Sequence, residues 1–199
     1  MPKPVLTSQL QATLMKRKMH KNLANLNLDD LKKYAPEQLQ THSVRALLLA
    51  LGSNYQAEKH LARVRGTLAD LGEIQLSTAF QNPDFTATPE LPKPDYTNQC
   101  VYLTLTSAMT LQQLQQTFKK FESDCNRQRL TEAQTSIKRP IETVTMDIDI
   151  LLIETAFNKN SLSKKEISKS PKQWVIMADR YPFKAHERAG VEELISNGL

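Results

Sequence analysis

The run Thr145-Met146-Asp147-Ile148-Asp149-Ile150-Leu151-Leu152-Ile153 sets two aspartates inside an otherwise aliphatic, β-branched segment. Aspartate is disfavoured in strands, so this is a strand that either uses its carboxylates or keeps one face wet. A period of two puts Met146, Ile148, Ile150 and Leu152 on one side, and Asp147 and Asp149 on the other. At a rise of about 3.3 Å per residue, the two carboxylates start roughly 6.5–7 Å apart. Their oxygens can converge on a hard cation, since Mg²⁺ takes one or two carboxylates and completes its shell with substrate phosphates. The pattern by itself suits metal binding and a solvated strand face equally.

Upstream, Arg45–Leu51 reads as a continuous apolar strand with Gly52-Ser53-Asn54 as its turn. Tyr55–Leu71 reads as a helix, with Leu61, Val64, Leu68 and Leu71 on one face and Gly72 as its stop. Ile74, Leu76, Thr78 and Phe80 alternate as a second strand, and four prolines make 82–95 a loop. Tyr96–Thr106 is the third strand, with Val101, Leu103 and Leu105 on one face. Thr110 opens a second helix through Leu111, Leu114, Phe118 and Phe121. A polar loop over 126–142 leads to the fourth strand, Thr143–Ile153. The order βαββαβ predicts an α+β sandwich of the ferredoxin-like kind. A Lys/Ser-rich stretch, 158–172, reads as a mobile connector before a short strand (Gln173–Met177) and a last helix around Glu187–Ile195.

Residues 1–43 read as a basic helical extension on a main domain of 44–199. Leu6, Leu10 and Leu14 form an apolar stripe, and Asn27 reads as the cap of a short helix running through Leu31 to Tyr34, with Pro36 ending or restarting it. The net charge of +5 resides in residues 1–45, which hold eight Lys/Arg against three Asp/Glu. A basic arm suits a solvated helix, or contact with nucleic acid or an acidic partner. The longest apolar run, Ala46–Leu51, is far short of the ~20 residues a membrane span needs. Two cysteines make neither a disulfide framework nor a zinc site, so a reduced, cytoplasmic chain is expected. Five scattered glycines supply no Gly-rich phosphate cradle, and the four histidines have no metal-ligand spacing. Any phosphate must then be held by Arg, Lys and Mg²⁺.

Ala50-Leu51-Gly52-Ser53-Asn54, Pro94-Asp95-Tyr96-Thr97-Asn98, Phe121-Glu122 with Asn126-Arg127-Gln128-Arg129, and Asp147-Ile148-Asp149 occur in that order. Together they resemble 6-hydroxymethyl-7,8-dihydropterin pyrophosphokinase, a folate-biosynthesis family with a ferredoxin-like fold, from about Ala46 to Leu194. The resemblance implies transfer of pyrophosphate from ATP to a reduced hydroxymethylpterin, with release of AMP. It implies that Asp147 and Asp149 hold two Mg²⁺ ions and act with Arg127 in catalysis. It assigns Glu122, Arg127, Arg129, Ile150 and Arg188 to ATP, and Pro83, Tyr96 and Asn98 to the pterin. An amide such as that of Asn98 offers the donor and acceptor a pterin edge requires, and forked guanidiniums suit phosphate oxygens.

The chain departs from the family pattern at several positions. Val144 stands where an arginine is expected, Ile141 where an aromatic is, Asn126 for a glycine and Asn82 for a threonine. Tyr181-Pro182-Phe183 replaces a Pro-His pair, and Gly190 replaces the aromatic that stacks on the pterin. Lys138 or Arg139 would be the substitute cation for the arginine lost at Val144. These departures motivate an alternative reading, a family member that binds nucleotide, pterin or a protein partner without turnover. A nucleic-acid binder on the same fold is disfavoured, because the fourth strand presents Asp147 and Asp149 where such modules need exposed aromatics.

Overall fold

The computed structural model describes Leu23 and residues 26–84, 87–90, 92–127, 143–156 and 172–197. The helix expected around Leu6, Leu10 and Leu14, the loop holding Arg129, Lys138, Arg139 and Ile141, and the connector before Lys172 lie outside the described residues.

Asn27 does act as a cap, its side chain accepting from the Asp29 N–H, but for a single 3₁₀ turn, Leu28–Asp30. The short helix expected through Tyr34 does not form. Lys33–Tyr34 is instead a strand (β1), since Tyr34 pairs with Met177 and Ala35, ahead of a proline, is held extended. Pro36 then starts the short helix α1 (Pro36–Leu39). The elements that follow are β2 (Ser43–Ser53), α2 (Ala57–Leu71), β3 (Gly72–Leu76), β4 (Phe80–Asn82) and β5 (Tyr96–Thr110). They continue with α3 (Leu111–Asp124), β6 (Asp147–Ala156), β7 (Lys172–Met177) and α4 (Ala185–Ser196).

The long apolar strand β2 sits at the centre. The sheet runs β1-β7-β6-β2-β5-β3, with β4 also paired to β5. The inner four, β6-β2-β5-β3, are mutually antiparallel and joined through α2 and α3, which is the ferredoxin-like arrangement. The second strand foreseen over Ile74–Phe80 is divided into β3 and β4, and the Ser77 N–H donates to the Cys100 carbonyl in the gap. A Thr-x-x-Gln box starts α3, with the Gln113 N–H donating to Thr110 Oγ1 and the Thr110 N–H to Gln113 Oε1.

Alternation along the central strands sorts the core into two layers. Leu47, Leu49, Leu51, Val101 and Leu103 pack beneath α2 and α3 with Leu61, Leu68, Leu114 and Phe118. Leu48, Ala50, Cys100 and Tyr102 face the other way, towards Leu28, Trp174, Val191 and Leu194. Each fully buried Leu or Val contributes about 1.5–3 kcal/mol of apolar transfer. In β6 the expected alternation holds from Met146 to Ile150 and then breaks. Leu49 pairs with Ile150 but Leu48 with Leu152, so Leu151 is an extra residue. Leu152 therefore joins the α4 layer, on the aspartate side, rather than the side of Ile148 and Ile150.

Candidate active site

Cross-strand register assembles the site. On the sheet face that α4 covers, Asn98 of β5, Gly52 of β2 and Asp147 of β6 lie side by side, and Cys100, Ala50 and Asp149 form the adjacent row. A Cβ on Gly52 would lie 3.1 Å from Asn98 Oδ1, so the glycine leaves the amide room between the strands. The next two residues of that motif brace the approach to β6. The Val144 N–H donates to Asn54 Oδ1 at 2.6 Å, the Asn54 N–H donates back to the Val144 carbonyl at 2.9 Å, and Ser53 Oγ donates to the same carbonyl at 3.2 Å. Val144 is buried and uncharged at the position where the family pattern has an arginine.

A cleft of about 300 Å³ opens over these rows. Pro83, Tyr96, Asn98, Arg127, Asp147 and Asp149 all line it, with Asn82, Lys93, Lys184 and His186. A second cleft, of about 230 Å³, lies between α3 and the start of β6, and is lined by Glu122, Ile150, Lys119 and Arg180. Asp149 lines both.

Arg127 owes its place to the end of α3. Asn126 adopts the left-handed conformation (φ 60°), its N–H donates to the Ser123 carbonyl, and the Arg127 N–H donates to the Glu122 carbonyl. This is a Schellman closure, in which asparagine serves where glycine is usual. Glu122 itself is buried, and its Oε1 accepts the Ile148 N–H at 2.9 Å, midway between the two aspartates. One residue thus fixes Arg127 through its carbonyl and the aspartate-bearing strand β6 through its carboxylate.

Asp149 is 8% exposed. Burial, and then the Asp147 charge, push its pKa up to about 6, against the pull of Arg180 and Lys184. Arg180, in the turn after β7, places a guanidinium nitrogen 2.5 Å from Asp149 Oδ1. Burial lowers the pKa of His186. Glu187 is buried and accepts the Lys184 N–H at 2.8 Å. Cys100, beneath α4, has its thiol pushed up to about 12 by burial, so it is no nucleophile.

Two acidic side chains that crowd each other suit a divalent cation. Among the described residues no group of three or more His, Cys, Asp or Glu is arranged to hold a metal ion. That donor set fits Mg²⁺ completed by phosphate oxygens, and does not fit a protein-built cage.

Arg188, expected beside ATP, is not brought there. Glu187, Gly190, Val191 and Leu194 are the inward residues of α4, and Arg188 points outward, where its Nε binds Glu192 Oε1 at 2.8 Å and a terminal nitrogen lies 3.8 Å from Asp29 Oδ2. Gly190 cannot be exchanged for a stacking aromatic in this packing, because a Cβ there would lie 2.7 Å from Cys100 Sγ. Arg180, Lys184, Lys93 and Lys119 were missing from the sequence-based site. Arg180 and Lys184 carried only the weak signal of a cation beside a strand or helix end, and Lys93 and Lys119 carried none beyond their charge.

The family model for 7,8-dihydro-6-hydroxymethylpterin-pyrophosphokinase (HPPK) matches residues 48–178. The chain belongs to the HPPK family. The matched span takes in every cleft residue from Gly52 to Asp149, and stops short of Arg180 and α4. A search of the curated proteins finds no match. The family connects this HPPK chain to pyrophosphokinase chemistry in folate biosynthesis. No described helix is long and apolar enough to cross a membrane.

Proposed function

We propose that this HPPK family member transfers the β,γ-pyrophosphoryl group of ATP to the hydroxymethyl oxygen of 6-hydroxymethyl-7,8-dihydropterin. The pterin would occupy the larger cleft, with its edge on Asn98 and its ring between Tyr96 and Pro83. The nucleotide would occupy the smaller cleft along Glu122 and Ile150. In the reaction the pterin hydroxyl oxygen bonds to the β-phosphorus, the bond to the α,β-bridging oxygen breaks, AMP leaves and the hydroxyl proton is released. Bound Mg²⁺ would supply charge neutralisation and alignment of phosphate oxygens, the main needs of such a transfer. Asp147 and Asp149 would hold it, and Arg127 would counter phosphate charge from the end of α3.

The observation that carries this reading is Asp149, a buried carboxylate on the wall shared by two clefts. A donor and an acceptor bound one on each side would meet at that residue, and proximity of this kind is a large part of a transfer enzyme's rate. The RNA-binding reading loses support at Tyr102 of β5, which is buried against Trp174 rather than exposed as a stacking platform. A second reading, binding without turnover, is favoured by Val144, which brings no charge to the larger cleft.

Thermal melting tests the binding common to both readings. Mg²⁺ with a non-hydrolysable ATP analogue at a hundred times its dissociation constant stabilises by about 2.7 kcal/mol. That should raise the Tm by about 5–11 °C for a chain of this size, at about 2–4 °C per kcal/mol. Asp147→Asn should abolish the shift. No shift at millimolar analogue would overturn the nucleotide assignment.

A further inference from the structure

Pairing between β6 and β7 ends at Leu152 opposite Ile176, which leaves the first residues of β6, Asp147 to Ile150, without a partner from β7 on that edge. The chain leaving β7 turns at once through a 3₁₀ turn, Ala178–Arg180, and this turn delivers Arg180 to the open edge. Its guanidinium binds Asp149 Oδ1 at 2.5 Å and lies 3.7 Å from Asp179 Oδ2. An exposed ion pair by itself would be worth little. This pair is not of that kind, since the carboxylate is buried while 41% of the arginine side chain remains open to the smaller cleft. Apart from Arg180, that cleft holds Lys119 against Glu122, Asp149 and Asp179, so without Arg180 its formal charge would be more negative still and hostile to a polyphosphate.

We propose that Arg180 is the phosphate-binding cation of the nucleotide cleft, tethered to Asp149 and offering its remaining N–H groups to the phosphate chain. This rests on the nucleotide reading above and adds a residue beyond the family-matched span. A guanidinium has five donors in a planar fork, so it can keep one on a carboxylate and direct others to phosphate oxygens. It brings positive charge to the wall between the clefts from the strand edge, where Val144 supplies none.

Calorimetric titration of the full chain with α,β-methylene-ATP and with AMP, both in Mg²⁺, tests this. Arg180→Ala should weaken the triphosphate analogue by about tenfold or more, as loss of a charge-assisted hydrogen bond implies, and change AMP affinity less than about twofold. Arg180→Lys should recover part of the loss, because it restores the charge without the fork. Equal analogue affinity in Arg180→Ala and the native chain would overturn the proposal. Equal weakening of AMP and analogue would also overturn it, by showing a structural role. A native chain that binds neither ligand would overturn the nucleotide reading itself, and this proposal with it.

Discussion

Asp149 is costly to the metal-free protein at neutral pH. Its pKa in the folded chain is about 6, above the ordinary 3.8, mainly because it is buried. A raised carboxyl pKa means that folding favours the protonated form. The stabilisation is complete below about pH 4 and is lost as pH rises through 6, a swing of about 3 kcal/mol. Asp149→Asn should therefore melt higher than the native chain at pH 7.5, with most of the gain gone at pH 4, both without metal. A variant no more stable at pH 7.5 would mean the carboxylate is well solvated. The sequence made this residue legible, because a charge in an aliphatic strand has few reasons to be there. It did not reveal Arg180, whose contact depends on where β7 stops, or the outward direction of Arg188, which follows from how α4 rotates onto Cys100. The bulge at Leu151 was equally hidden, since an extra residue leaves an apolar run looking unbroken.

Among the elements, α3 and β6 are coupled through Glu122. Its carbonyl closes the helix on Arg127, and its carboxylate holds the Ile148 N–H between the two aspartates. Glu122→Ala should lower stability by about 1–3 kcal/mol, the cost of a buried donor left unsatisfied. It should also weaken Mg²⁺-nucleotide binding. Glu122→Gln keeps an acceptor and should retain most of both, as denaturant titration and calorimetry would show; similar losses in the two variants would contradict the coupling. The sequence placed Glu122 at a helix end near a cleft, but its bond to β6 joins residues 26 apart in the chain and has no local signature. The Ser53-Asn54 brace on Val144 is hidden for the same reason, with about 90 residues between its partners. Asn126, which departs from the usual glycine, loses nothing structurally because asparagine also tolerates a left-handed cap.

At the scale of the whole molecule, the βαββαβ order was readable because each strand and helix carried its own periodicity. How the sandwich is covered was not. α2 and α3 back one face, while α4 and the segment around Leu28 cover the other, and β1 extends the sheet beside β7. The described residues before Ser43, read from sequence as part of an extension, contribute core residues and an edge strand to the sheet. The start of β6 lies between the two clefts, with Asp147 on the larger one and Asp149 lining both. The direct measurement is to mix the full chain with Mg-ATP and 6-hydroxymethyl-7,8-dihydropterin and follow AMP by chromatography. The account predicts AMP and pyrophosphorylated pterin in equal amounts, and neither from Asp149→Asn. ATP bound without AMP formation, or AMP released at the native rate by Asp149→Asn, would contradict it.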